Sequence, residues 1–178
     1  MLHEIIIAGF GGQGVMSMGQ LIAYSGMLEQ KGVTWLPSYG PEQRGGTANV
    51  SVIVSDEEVG SPVIAKPTVA IVLNKPSYDK FEPMVVPGGV LIVNSSLIEK
   101  KSKRTDIKVI EVPATEIANE LGEPKVANSV ILGAFLEVTK AVSPDSVIES
   151  LKKVLSGGKQ QLIPVNKLAL ERGAELAQ

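Results

Sequence analysis

The segment Glu4-Ile5-Ile6-Ile7-Ala8-Gly9-Phe10-Gly11-Gly12-Gln13-Gly14 decides the fold. Its first half is a β-branched run bounded by glycine, which predicts a buried strand. Its second half is a glycine turn. From Gln13 to Gln30 the apolar residues Val15, Met16, Leu21, Ile22, Ala23 and Met27 then fit an amphipathic helix that Lys31-Gly32 ends. Strand, glycine turn and helix in this order form the first unit of a Rossmann-like α/β domain. The turn places backbone N–H groups and the positive end of a helix where they can hold an anion.

Working outward, the pattern repeats. Val33 to Leu36 is a second short strand that Pro37 closes. Thr47 to Val54 alternates Ala48, Val50, Val52 and Val54 against Asn49, Ser51 and Ile53. No helix precedes that strand, so it is expected to be an antiparallel or edge element of a mixed sheet. Strands are predicted over Val69–Leu73, Val90–Val93 and Ile107–Val112, and helices over Pro76–Phe81, Thr115–Leu121, Ala127–Ala141, Asp145–Leu155 and Val165–Ala177. Ser143-Pro144 supplies an N-cap followed by proline at the first helical position. The expectation is an α/β fold, a Rossmann-like three-layer sandwich on a mostly parallel, mixed sheet, with residues 1–178 as one domain.

Composition excludes several chemistries. The 178 residues include no Cys, so this chain offers no disulfide, thiolate nucleophile or Cys-ligated iron–sulfur cluster. Its one histidine, His3, leaves no His-based metal site and no Ser–His hydrolytic pair. A net charge of −2 argues against nucleic-acid binding. No apolar run approaches the roughly 20 residues that span a bilayer, and the N-terminus runs straight into a strand without a leader. A cytoplasmic protein with no membrane partner is expected.

Gly9, Gly11 and Gly14 match the G-x-G-x-x-G fingerprint of dinucleotide sites. That fingerprint also calls for a carboxylate at the end of the second strand, to read the ribose. Here the strand ends Trp35-Leu36-Pro37-Ser38, so the ribose-reading half is missing. Packing of helix on strand explains a tight turn, but Gly12 and the Gln13 amide exceed what packing needs, which favours close approach of a phosphate or a partner's backbone. A second loop, Ser38-Tyr39-Gly40-Pro41-Glu42-Gln43-Arg44-Gly45-Gly46, sets an isolated arginine among glycines. Arg44 could present its guanidinium fork to a carboxylate or phosphate, or pair locally with Glu42. Both loops are expected to leave the same rim of the sheet, side by side.

Together, the two loops resemble the signature segments of the gamma subunits of 2-oxoacid:ferredoxin oxidoreductases. Ser61-Pro62-Val63, and Asn128 with Gly133, fit the same family. The resemblance spans nearly the whole chain, and the GFGGQG form is closer to the 2-oxoglutarate or branched-chain enzymes than to the pyruvate type. It implies a chain working beside alpha, beta and ferredoxin-like delta subunits. The complex would hold thiamine diphosphate, Mg and iron–sulfur clusters on those other chains, with ferredoxin, a 2-oxoacid and coenzyme A as reaction partners. The candidate contacts to coenzyme A, the diphosphate or a partner are Gly9, Gly11, Gly12, Gln13, Gly14, Tyr39, Gly40, Glu42, Gln43, Arg44, Gly45 and Gly46. No residue is assigned proton-transfer or nucleophilic work. A stand-alone dinucleotide oxidoreductase and a purely structural assembly subunit are the alternatives.

Other features read more simply. The run Lys100-Lys101-Ser102-Lys103-Arg104 is a solvated turn, Trp35 a buried anchor and His3 an exposed or edge-strand residue. Met16, Met18 and Met27 are core or interface packing. Asn128 either caps its helix or bonds a loop. The following run Val130–Phe135 is apolar nearly all round, which predicts burial.

Overall fold

A computed structural model describes residues 1–39, 47–155 and 157–178. In chain order the elements are β1 (Leu2–Phe10), α1 (Val15–Leu28), β2 (Gly32–Tyr39), β3 (Thr47–Ser55), β4 (Val69–Val72), α2 (Lys75–Phe81), β5 (Val90–Asn94), β6 (Lys108–Val112), α3 (Ala114–Glu120), α4 (Ala127–Thr139), α5 (Pro144–Val154) and α6 (Ile163–Leu176). The six strands form one mixed sheet in the order β2-β3-β1-β4-β5-β6. Strands β1, β4, β5 and β6 are parallel, and β3 pairs antiparallel with both β1 and β2.

The alternating burial of the strands creates two cores. Ile5, Ile7, Val50, Val52, Ile71 and Ile92 face one layer, where they meet buried residues of α1, α3, α4, α5 and α6. Ile6, Ala8, Ala70, Val72 and Leu91 face the other, where Tyr78 and Phe81 of α2 cover them. The three layers are therefore unequal: among the described residues, five α-helices lie on one face and one short α-helix on the other. The apolar α4 fills the middle of the thicker layer, buried from Ser129 through Leu136 as its sequence predicts.

Other sequence expectations are met, sharpened or changed. The β3 strand is antiparallel, but it is interior, with β2 as the edge beyond it. Strand β2 also continues past Pro37, which pairs opposite Val50, to Tyr39. An edge strand needs hydrogen-bond donors on one side only, so proline there forfeits no ladder bond. His3 lies on β1, an interior strand, and is half-buried; burial, then Lys31 and the amino terminus, hold its imidazole below the usual histidine range. Of the three methionines only Met18 is fully buried, whereas Met27 is 62% exposed on the outer face of α1. Trp35 is partly buried and packs against the main core. The basic run is partly structural. The Arg104 guanidinium donates to the Glu82 and Val85 carbonyls (2.9 and 2.8 Å) and pairs with Asp106.

One polar clasp locks α1 onto α5. The Glu29 carboxylate accepts from Ser143 N (2.7 Å) and Ser146 Oγ (2.8 Å) and pairs with Lys31 at 3.0 Å. Lys31 in turn donates to the Ala141 carbonyl at 2.6 Å. Burial alone would raise the Glu29 carboxyl, but the bonds from Ser143, Ser146 and Lys31 outweigh it and hold the group at about 2, against an ordinary 4.5. A carboxyl depressed by folding stabilises above its unfolded value and loses that contribution as pH falls through the folded one. Glu29→Gln is therefore expected to cost about 1–2 kcal/mol at pH 7, allowing for solvent screening. Urea titrations should show the gap from the parent chain closing as pH falls from 4.5 towards 2.

Candidate functional site

The site lies where the chain changes direction. After β1 it turns to α1 on one face of the sheet; after β4 it turns to α2 on the other. Adjacent strands whose following helices depart to opposite faces leave a crevice at their carboxyl ends, the usual ligand position in such sheets. A cavity of about 310 Å³ occupies this place, lined by Gly12, Gln13, Gly14, Leu73, Asn94, Lys125 and Asn128 among others.

The glycine turn is built by two absent side chains. A Cβ at Gly9 would meet Gln13 Oε1 and Leu73, and a Cβ at Gly14 would overlap the Asn128 amide. Gly12 and Gly14 also adopt positive φ angles of 90° and 78°, which favour glycine. Into this space the Gln13 side chain folds back. Its Oε1 accepts from Phe10 N at 2.6 Å and its Nε2 donates to the Leu73 carbonyl at 3.3 Å. Asn128, on the first turn of α4, donates from Nδ2 to the Gln13 carbonyl at 2.9 Å. Asn128 thus bonds a loop and does not cap its helix, which has no side-chain cap.

Gln13 departs from expectation: its amide, read as surplus to packing, is spent on the turn itself. What the turn retains are backbone donors. The N–H groups of Gly11, Gly12 and Gly14 have no hydrogen-bond partner among the described residues, and α1 begins without a side-chain cap. Across the crevice, Lys125 is exposed and makes no ion pair among the described residues. Sequence reasoning missed Lys125, and the only signal for it is its position in a short turn just before Asn128.

The second loop reaches the same rim as far as it is described. Tyr39 pairs with Ala48 and Ala48 with Gly9, so three strands present these residues in one row. At the usual inter-strand spacing Tyr39 lies about 10 Å from Gly9. Its side chain is 72% exposed. Gly40, Glu42, Gln43, Arg44, Gly45 and Gly46 lie outside the described residues.

The described residues offer no donor set for a metal or cluster. The chain has no Cys, and no group of three or more His, Asp or Glu among the described residues could hold a metal ion. Nor does β2 carry a carboxylate to read a ribose anywhere between Gly32 and Tyr39. No helix among the described residues is long and apolar enough to cross a membrane.

The pyruvate ferredoxin/flavodoxin oxidoreductase family profile matches residues 4–176. The chain belongs to this family. Ketoisovalerate oxidoreductase subunit VorA of Methanothermobacter thermautotrophicus is 40% identical over 98% of this chain, which spans only 36% of that protein's length. The 2-oxoglutarate synthase subunit KorC of Methanocaldococcus jannaschii is 34% identical over 99% of this chain and 95% of its own. The crystal structure of the keto/oxoacid ferredoxin oxidoreductase gamma subunit from Geobacter sulfurreducens superposes with a TM-score of 0.82 at 30% identity, covering 98% of both chains. The likeness to gamma subunits seen in the two loops therefore extends over the full length.

Proposed function

We propose that this chain is the gamma-type component of a 2-oxoacid:ferredoxin oxidoreductase. The complex would convert a 2-oxoacid and coenzyme A to acyl-CoA and CO2, passing electrons to ferredoxin. The observation that carries the proposal is the crevice at the β1/β4 switch point. Gly12 and Gly14, whose backbone N–H groups have no partner among the described residues, line one small space together with Lys125, which suits the phosphate-bearing part of coenzyme A. The thiamine diphosphate, Mg and clusters would sit on companion chains: this one has no Cys to ligate a cluster, and no group of three or more His, Asp or Glu among its described residues could hold a metal ion. Its own residues would bind and orient, and none is assigned a proton transfer.

The 2-oxoacid is assigned as 2-oxoglutarate, since the KorC relative matches this chain end to end. Ketoisovalerate is the second reading, favoured by the higher identity to VorA. The chain would operate in the cytoplasm as a single domain. A stand-alone dinucleotide enzyme fits less well, because β2 ends without its carboxylate. A purely structural subunit would leave the crevice donors unused.

Purification from native extract is expected to bring down Cys-rich and thiamine-binding companions. 2-Oxoacid-dependent ferredoxin reduction should be lost when this chain is omitted and restored when it is added back. Activity of the isolated chain, or calorimetric binding of NAD(H), NADP(H) or FAD at millimolar ligand, would sink the proposal. Within the complex, Lys125→Ala should raise the KM for coenzyme A about fivefold at unchanged kcat. That is the signature of one lost charge-assisted contact made equally in ground and transition states.

A further inference from the structure

We propose that Asn128 is the positioning residue that keeps the glycine turn in its anion-accepting form. A peptide unit is planar and trans, so its C=O and N–H point in opposite directions. The unit joining Gln13 to Gly14 presents its carbonyl to Asn128 Nδ2 at 2.9 Å. That bond therefore fixes the direction of the Gly14 N–H, which has no partner among the described residues. Without it little opposes rotation of the plane, because Gly14, at φ 78°, tolerates either sign of φ. Rotation would exchange the two groups and put a carbonyl where the donor had been. An anion would then meet a partial negative charge.

The surroundings are arranged for this bond. The missing Cβ at Gly14 is what admits the Asn128 amide. On its other side the Gln13 side chain ties the turn to Phe10 N and the Leu73 carbonyl, leaving its own main-chain carbonyl for Asn128. Asn128 also follows directly on the turn that carries Lys125, so one segment sets both walls of the crevice. Gln13 and Asn128 are thus two separate restraints, one on the turn's position and one on the sense of its peptide plane.

This inference rests on the reading of the crevice as the phosphate subsite of coenzyme A, and the two can be tested apart. Asn128→Asp keeps the shape but replaces the donor with an acceptor, which repels the Gln13 carbonyl and attracts the Gly14 N–H. Asn128→Ala only removes the restraint. In the full chain, the Gly14 amide resonance is expected to shift most in Asn128→Asp and less in Asn128→Ala. In the assembled complex the KM for coenzyme A should rise about tenfold and about threefold respectively, with kcat within about twofold of the parent. A shifted resonance with an unchanged KM would leave the positioning role standing and remove coenzyme A from the crevice. A Gly14 resonance unmoved in Asn128→Ala overturns the role whatever the KM does. Should Asn128→Asp fail to fold, Asn128→Ala carries both readouts by itself.

Discussion

Gly14→Ala is expected to destabilise the chain by about 2–4 kcal/mol and to raise the KM for coenzyme A in the assembled complex at least about threefold, as Asn128→Ala does. Two costs add. An L-residue forced to φ 78° pays about 1–2 kcal/mol for the left-handed region. The new methyl group also occupies the place of the Asn128 amide, so the bond to the Gln13 carbonyl is lost and a half-buried acceptor is left bare, worth about 1–2 kcal/mol more. Gly12→Ala separates the terms. Gly12 has a comparable φ of 90°, but no atom of the described residues lies within 4 Å of its absent Cβ, so the conformational cost dominates. Urea denaturation of both variants should therefore place Gly14→Ala below Gly12→Ala by about the energy of the Asn128 contact. Equal losses in the two variants would mean that the contact contributes nothing.

The same residues show what a sequence reveals and what it withholds. Gly9, Gly11 and Gly14 after a β-branched run fix the strand–turn–helix unit, because glycine spacing reports backbone conformation and backbone conformation is local. The alternation from Ala48 to Val54 likewise reports which side of β3 is buried. It does not report how many neighbours the strand has, and β3 turned out to be interior, with Ile53 and Ser55 buried as well. Pro37 looked like a stop because proline lacks a donor; only the identity of β2 as an edge makes that harmless. Gln13 is the sharpest case. Its amide was legible as an anomaly, yet its partners, Phe10 N and Leu73 O, are set partly by a strand 60 residues further on. Of the candidate site, the turn and Tyr39 are brought to one rim by strand register, whereas Lys125 enters only through the tertiary path of the chain before α4.

Gly133→Ala and Gly173→Ala should each cost about 3 kcal/mol, the largest effects expected away from the crevice. Helices α4 and α6 cross with their backbones in contact: a Cβ at Gly133 would fall on the Leu170 carbonyl, and one at Gly173 on the Val130 carbonyl. Backbone cannot swing aside as a side chain can, so the helices must separate, and overpacking of this kind costs about 1–3 kcal/mol, occasionally more. Separation would also stretch the buried bond from Ser129 Oγ to Asn166 Oδ1, 2.5 Å long, beside the crossing. Because both glycines serve one contact, the double variant should lose less than the sum of the singles, the first methyl group having already opened the gap that the second needs. Strict additivity in urea titrations would contradict a shared crossing. The consequence reaches the crevice, since α4 carries Asn128 at its start and Gly133 little more than one turn later. A displaced α4 takes the amide away from the Gln13 carbonyl, so both variants should also shift the Gly14 amide resonance while their own substitutions lie far from the turn. That shift would identify the α4–α6 crossing as the support on which the geometry of the glycine turn depends.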